Sequence, residues 1–375
     1  MRRLWKTLNR VLLIILLFLF IEGGTVAAAA APRVYANAAI LIDMRTGQIL
    51  WEKNADQLLP PASTTKILTA VTALDLAGDD LSKLFTVSEN VRGIPETNIN
   101  LRPGEQLSLY DLLVGTLLPS GNDAAYAVAE AVGGTETAFV YLMNLKAKSL
   151  GAFSAQLFNT NGLPDKRHLM SARDIAVISR YAMMNEVFAE IVALKYAVIG
   201  SGESERYLKN TNRLLHNDAD IIGVKTGTTN DAGQCLVAAK TGFIEGYNGS
   251  DNVVFLSVVL NSPDRWTESE RLLNYGFDNF HMVKGASAGD MVAMIPVEKG
   301  TSGYVPVKVY SDCVFLCPKG SIITVEWNIP EALFAPLKEG QSVGSMSFAD
   351  EKGNIWGAAE LFAAAGVRKK ILGIF

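Results

Sequence analysis

Histidine and cysteine are scarce in this chain, with three of each among 375 residues. His168, His216 and His281 stand far apart, and none has a setting that suggests catalysis. Zinc needs about four nitrogen or sulfur ligands at close spacing. This inventory does not offer them, so neither a metal nor another cofactor is expected. Cys235 is isolated among apolar residues. Cys313 and Cys317 are four apart in a strand-like stretch, too far for a bridge along one extended strand. All three read as packing residues, with a Cys313–Cys317 bridge across a turn as the alternative.

Blocks of one charge are also missing. The formal net charge is -4 and no basic stripe is present. A nucleic-acid partner is therefore not expected, since its electrostatic footprint is absent. There is no internal repeat, and the alanines near residue 30 are the one low-complexity tract. With 49% hydrophobic and 19% charged residues, the chain is not a disordered one. Its length allows about two domains.

The N-terminus carries an address. Met1-Arg2-Arg3-Leu4-Trp5-Lys6 is a positive segment, Val11–Ile21 an unbroken apolar run, and Ala27–Ala31 a small-residue stretch before Pro32. That is the pattern of a cleavable secretory signal over residues 1–31. The apolar run is shorter than the ~20 residues a spanning helix needs; an uncleaved anchor is the alternative. Either way the bulk of the chain is expected outside the cytoplasm, in the cell wall or at the outer face of the cytoplasmic membrane.

Two short strands at 38–42 and 48–51 flank a hairpin turn at Asp43–Gly47. Ile67, Leu68, Val71, Leu74 and Leu76 then recur at helical spacing, ended by Gly78. Ser108 three before Asp111 reads as a capping box for a helix that stops at Pro119. Helices follow over 123–132, 136–150, 171–184 and 187–195. Strands at 221–226, 234–241 and 253–260 precede a final helix over 267–280. The expected class is α+β: a mostly antiparallel sheet covered by helices, with an all-helical part, over residues 32–283. From residue 284 to 365, short strands between Gly, Pro and Lys turns predict a small all-β domain. Residues 366–375 form a short basic-then-apolar tail. It reads either as a contact for a membrane surface or as a frayed end.

The chemistry starts at Pro60-Pro61-Ala62-Ser63-Thr64-Thr65-Lys66. Ser63 and Lys66 are three apart on the first turns of a helix and so share one face. A serine needs a base, and a lysine serves if burial or a second cation lowers its pKa. The helix N-terminus adds free backbone N–H groups for an oxyanion. Ser-x-x-Lys alone is weak, since it should occur about once in a chain this long. Two more elements strengthen it. Pro119-Ser120-Gly121-Asn122-Asp123 lies at the joint of two helices, where Ser120 or Asn122 also fits a helix N-cap. Gly223-Val224-Lys225-Thr226-Gly227-Thr228-Thr229 ends an apolar strand. Its edge could bind an extended peptide, with Lys225 and Thr226 gripping a carboxylate; the plainer reading is a basic turn.

Ser-x-x-Lys, Ser-x-Asn and Lys-Thr-Gly, in that order, resemble the signature set of the penicillin-recognising acyl-serine enzymes. With Asn161-Gly162-Leu163 and Ser171-Ala172-Arg173-Asp174, the chain resembles the low-molecular-mass penicillin-binding proteins along nearly its whole length. Those are serine-type D-alanyl-D-alanine carboxypeptidases of β-lactamase/transpeptidase-like fold. Ser88-Glu89-Asn90, Ser250-Asp251-Asn252 and Lys240-Thr241-Gly242 fit the short patterns too, but in the wrong order or context.

The resemblance implies removal of the terminal D-alanine from peptidoglycan stem pentapeptides through an acyl-enzyme on Ser63, with β-lactams as covalent inhibitors. It implies Lys66 as base, Ser120 as proton relay and Asn122 as orienter of Lys66 and the substrate amide. It assigns the substrate carboxylate to Lys225 and Thr226, next to Gly227, and the oxyanion to the N–H groups of Ser63 and Thr228. Arg265 is a further candidate for the carboxylate, a little later in sequence than the arginine many relatives carry. A class A-like β-lactamase and a non-catalytic cell-wall-binding protein of the same fold are the alternatives. The all-β domain speaks against the first and the complete set of side chains against the second.

Overall fold

The computed structural model describes residues 31–370 except Asp79 and Asn248, so the expected signal segment lies outside the described residues apart from Ala31. Contacts divide the described chain into two compact units. One holds residues 31–243 and 252–278, the other residues 244–251 and 279–370.

In the first unit, β1 (Ala38–Asp43) and β2 (Ile49–Lys53) form the expected hairpin. After a short 3-10 turn at Ala62–Thr64 comes α1 (Thr65–Ala77). Two small strands, β3 (Leu84–Thr86) and β4 (Gln106–Ser108), pair before α2 (Leu109–Leu117). Helices α3 (Asn122–Gly133), α4 (Glu136–Ser149), α5 (Ala172–Met183) and α6 (Glu186–Ala193) follow. Then come the hairpin β5 (Tyr196–Ile199) and β6 (Arg206–Lys209), and α7 (Arg213–Asn217). The main sheet is completed by β7 (Ile221–Thr229), β8 (Gly233–Gly246) and β9 (Gly249–Ser262), in the order β2-β1-β9-β8-β7. Helix α8 (Arg265–Asn279) closes the unit, with Gly276 against Phe255 and Phe277 tilted on Phe255 at 4.7 Å.

Helix α1 is the core of this unit. Its apolar spacing predicts one buried face, yet every residue from Thr65 to Leu74 is buried, because α2, α3, α4 and α5 all pack against it. A helix surrounded in this way is buried on all sides, so Lys66 is carried into the interior. Of the capping box expected for α2, the Ser108 half is present: Ser108 Oγ accepts from Asp111 N at 3.0 Å. The cap expected of α3 is not. Its N-cap is Gly121, without a side-chain bond, and Ser120 stands outside the helix at φ +72°. The start of α3 is instead held by Asp123. This buried carboxylate accepts from Ile99 N (3.0 Å), Leu101 N (2.9 Å) and Ala124 N (2.8 Å). Residues 95–101 are thereby strapped across the helix end.

The second unit is all β. β10 (Phe280–Ala286) pairs with β13 (Cys313–Pro318). A six-stranded sheet runs β14-β16-β17-β12-β11-β15. Its strands are β11 (Met291–Glu298), β12 (Tyr304–Val309), β14 (Thr324–Asn328), β15 (Leu333–Phe334), β16 (Ser342–Ala349) and β17 (Ile355–Ala363). Val305, Val307, Val309, Phe315 and Leu361 form its core. The boundary expected after residue 283 falls inside β10. Cys313 and Cys317 are free and buried, which removes the bridge across a turn; Cys235 is free and buried as well. The tail is not frayed where it is described: Val367 is 3% exposed, Leu337 N donates to Val367 O, and Lys370 N donates to Lys299 O. Residues 371–375 lie outside the described residues. No described helix is long and apolar enough to cross a membrane.

Asp123→Ala strands three backbone donors. A melting curve should show a destabilisation of about 2–4 kcal/mol, the range for bonds to a charged acceptor left unmade.

Candidate active site

The 3-10 turn at Ala62–Thr64 presents Ser63 at the head of the buried helix. Ala62, directly before it, is held at φ +48°, a conformation non-glycine residues rarely adopt. Two glycines make this turn possible by close approach. A Cβ on Gly162 (φ +83°) would stand 1.9 Å from Ala62 O, and one on Gly227 would meet Pro61 O at 3.0 Å and Ser63 N at 3.1 Å. The Asn161-Gly162 loop and the Lys-Thr-Gly strand therefore clasp the Ser63 turn from two sides, backbone on backbone.

Lys66 is 0% exposed, and its Nζ lies among three oxygens: Ser63 Oγ at 2.9 Å, Asn122 Oδ1 at 2.6 Å and the main-chain O of Asn161 at 2.8 Å. Asn122 is fixed in turn, its Nδ2 donating to Pro95 O at 2.8 Å. Burial, and after it the neighbouring Lys225, hold Lys66 well below the ordinary lysine range, against the pull of Glu96 and Asp123. Lys225 is no basic turn. It lies within β7, 1% exposed, with Nζ donating to Thr226 O at 3.1 Å. Burial, then Arg265, push it down to about 7.

Strand β7 is the edge of the main sheet, with no strand of the described residues paired on its far side. Thr226 Oγ1 meets Thr211 Oγ1 at 2.7 Å, and Thr211 also reaches Leu118 O through its N (3.1 Å) and its Oγ1 (3.3 Å). One threonine thus ties the Ser-x-Asn loop to the Lys-Thr-Gly strand. Ser120 on that loop is 8% exposed, and no hydrogen bond holds its hydroxyl among the described residues. Arg265, at the start of α8, comes to β7 and its neighbour β8: Nη1 donates to Gly227 O (2.8 Å) and Thr228 Oγ1 (2.7 Å) of β7 and to Cys235 O (3.3 Å) of β8. Its guanidinium lies over the Trp266 ring at 4.6 Å.

The sequence matches the D-alanyl-D-alanine carboxypeptidase family of peptidases over residues 25–263. The chain belongs to that family. Residues 280–369 match the C-terminal domain of penicillin-binding protein 5. D-alanyl-D-alanine carboxypeptidase DacC of Escherichia coli is 34% identical over 351 residues, 88% of this chain and 85% of that one. DacF of Bacillus subtilis is 30% identical over 322 residues, 83% and 80% of the two chains. Among solved structures, penicillin-binding protein 5 of Haemophilus influenzae superposes with a TM-score of 0.77 at 29% identity, covering 91% of this chain and 100% of that one. The expected family and α+β fold, with its all-β domain, are borne out, and with them the activity of a serine-type D-Ala-D-Ala carboxypeptidase. Nothing in these relatives favours the β-lactamase or the non-catalytic alternative over it.

Geometry collects Ser63, Lys66, Asn122, Lys225, Thr226, Gly227 and Arg265 around one turn. The look-alikes fall elsewhere: Ser88 Oγ bonds Glu130 and Lys240 pairs with Asp218. Three groups escaped the sequence reading. Asn161 acts through its main chain, which no side-chain pattern reveals; Pro95 O serves Asn122 likewise; Thr211 lies outside all three motifs. Thr211→Val should raise KM for a D-Ala-D-Ala peptide about fivefold, the worth of one hydrogen bond, with a smaller change in kcat. Thr211→Ser should restore it.

Proposed function

We propose that Ser63 is the nucleophile and Lys66 its base, and that the three-oxygen cradle around Lys66 Nζ sets their direction. As a neutral amine, Lys66 has two N–H groups and one lone pair. Asn122 Oδ1 and Asn161 O can only accept, so they take the two hydrogens. The lone pair is left for the third neighbour, Ser63 Oγ, whose proton it receives. In the ammonium form all three oxygens would be used as acceptors, and the Ser63 hydroxyl would turn to Asn161 O at 3.4 Å. Burial and the Lys225 charge oppose that resting form.

Ser63 Oγ then attacks the carbonyl between the two D-alanines. The Oγ–C bond forms, the proton moves to Lys66, and the oxyanion rests on the N–H groups of Ser63 and Thr228. The C–N bond breaks as a proton passes from Lys66 through Ser120 to the leaving amine. An untethered Ser120 hydroxyl suits a relay that must turn between partners. Water next adds to the acyl carbon as its proton goes to Lys66, and the Oγ–C bond breaks as Lys66 returns that proton to Ser63 Oγ, which restores the resting pair. The open side of β7 takes the extended peptide as an added strand, with its terminal carboxylate at Thr226, Lys225 and Arg265. A peptidoglycan stem peptide ending in D-Ala-D-Ala is the substrate, and a β-lactam, which presents the same acyl group, stops at the Ser63 ester. The N-terminal signal pattern supports an extracytoplasmic site of action.

Mass spectrometry after incubation with penicillin should show one covalent adduct on the wild type and none on Ser63→Ala, with D-alanine release falling to background in the variant. Absence of the adduct on the wild type would remove Ser63 as nucleophile.

Two amines with opposite requirements fix the pH profile. Activity rises with pH as Lys66 loses its proton and falls as Lys225 loses its own, which places the alkaline limb of kcat/KM near pH 7. Lys225→Arg keeps a charge at that place. The alkaline limb should move upward in this variant whatever the rate does.

A further inference from the structure

Thr211 faces both the catalytic strand and the surface. Its hydroxyl bonds Thr226 in the catalytic cleft, and the residue also lines a second cavity of about 470 Å³ together with Lys209, Arg213 and His216. This cavity is open to solvent, and two buried side chains brace its floor. Asn210 and Asn212 are buried, and each is tied to main chain: Asn210 Nδ2 donates to Val192 O (3.2 Å) and Leu194 O (2.9 Å), and Asn212 Nδ2 to Gly223 O (2.9 Å). His216 Nε2 sits 3.2 Å from Asn210 O.

Its charge is one-sided. Lys209 and Arg213 are exposed and make no ion pair among the described residues. Each lies over an aromatic ring instead, Lys209 Nζ 5.9 Å from the Tyr196 centroid and Arg213 Cζ 5.6 Å from that of Trp266. The same Trp266 ring carries Arg265, which reaches Gly227 and Thr228 in the cleft. One indole therefore spaces two guanidinium groups, one serving the catalytic strand and one serving the cavity. Asp264 is the carboxylate nearest in sequence to this pair. It is held low first by its hydrogen bonds from Thr267 and, last, by Arg213, and it pairs with no cation at ion-pair distance. Asp264 feels the Arg213 charge, and among the described residues no carboxylate lines the cavity itself, so its lining is positive.

We propose that this cavity is a second anion subsite on the leaving-group side, selecting leaving groups that carry a carboxylate besides the terminal one. The inference rests on Thr226 and Arg265 as the anchor of the terminal carboxylate. With that group fixed there, a side chain on the leaving residue that extends past Thr226 meets Thr211 and then the cavity. D-Glutamate has the required form: its α-carboxylate stays at the anchor and its side-chain carboxylate reaches towards Arg213 and Lys209. Guanidinium is the fitting partner because it offers a paired donor edge to a carboxylate.

The test compares kcat/KM of the full chain on three acyl peptides ending in D-Ala-D-Glu, D-Ala-D-Gln and D-Ala-D-Ala. The glutamine peptide matches the glutamate one in shape without its charge. The wild type should prefer glutamate to glutamine by about tenfold at low ionic strength, and the preference should shrink with added salt. Arg213→Met should bring the ratio close to one, and Lys209→Met should lower it part of the way. Turnover of the D-Ala-D-Ala peptide should stay within about twofold of wild type in both variants. A wild-type ratio of one, or a ratio that survives the double variant, overturns the subsite. If the wild type cleaves no D-Ala-D-Ala peptide, the reading of the catalytic cleft falls and takes the subsite with it. A flat ratio alongside brisk D-Ala-D-Ala cleavage overturns the subsite alone.

Discussion

The Lys66 amine sits where water cannot reach it, and the rest of the site follows from that. A lone ammonium in such a place is expensive, and a neutral amine is not. The cradle of one hydroxyl, one amide oxygen and one main-chain oxygen suits both protonation states. In the proposed base role, Lys66 as an amine donates twice and points its lone pair at Ser63 Oγ, and as an ammonium it donates three times. Between the two states only the Ser63 hydroxyl hydrogen has to turn, and the three oxygens stay in place, which is the preorganisation that lowers a barrier. Lys225 completes the arrangement from the side, a second buried amine that opposes charge on the first.

Holding such a cradle takes three stretches of chain that are far apart in sequence. Helix α1 brings Ser63 and Lys66, the joint before α3 brings Asn122, and β7 brings Lys225. They meet because side chains are missing where the backbones touch: Gly162 and Gly227 let two segments lie against the Ser63 turn at distances a methyl group would forbid. Asp123 and Thr211 then act as ties. The first binds the 95–101 strap to the start of α3, and the second joins the loop before α3 to β7. Catalytic geometry and fold stability share the same bonds here.

Much of this was legible in the sequence. Helical spacing at Ile67, Leu68 and Val71 and the turn residues around Pro119 and Gly223 carry the order of elements. The three short motifs carry the cleft, because their chemistry resides in side chains. What stayed hidden has a common cause. Asn161 O and Pro95 O are main-chain acceptors, and any residue type supplies one. The cap of α3 looked like Ser120 or Asn122, but Asn122 is drawn inward by Lys66 and Ser120 turns to positive φ, so Gly121 occupies the cap. Arg265, late in the sequence, reaches β7 because α8 starts two residues earlier than its apolar pattern suggests.

The Asn161 contact has an evolutionary corollary. Resistance to a covalent inhibitor commonly arises by exchanging one residue for another, and every side chain of the cradle is open to that route. A peptide carbonyl is not: whatever residue occupies position 161, the oxygen remains. Escape through this contact would require the loop itself to be re-threaded, by insertion, deletion or loss of Gly162. Drug variants of this chain should therefore cluster where codons, not backbones, define the pocket.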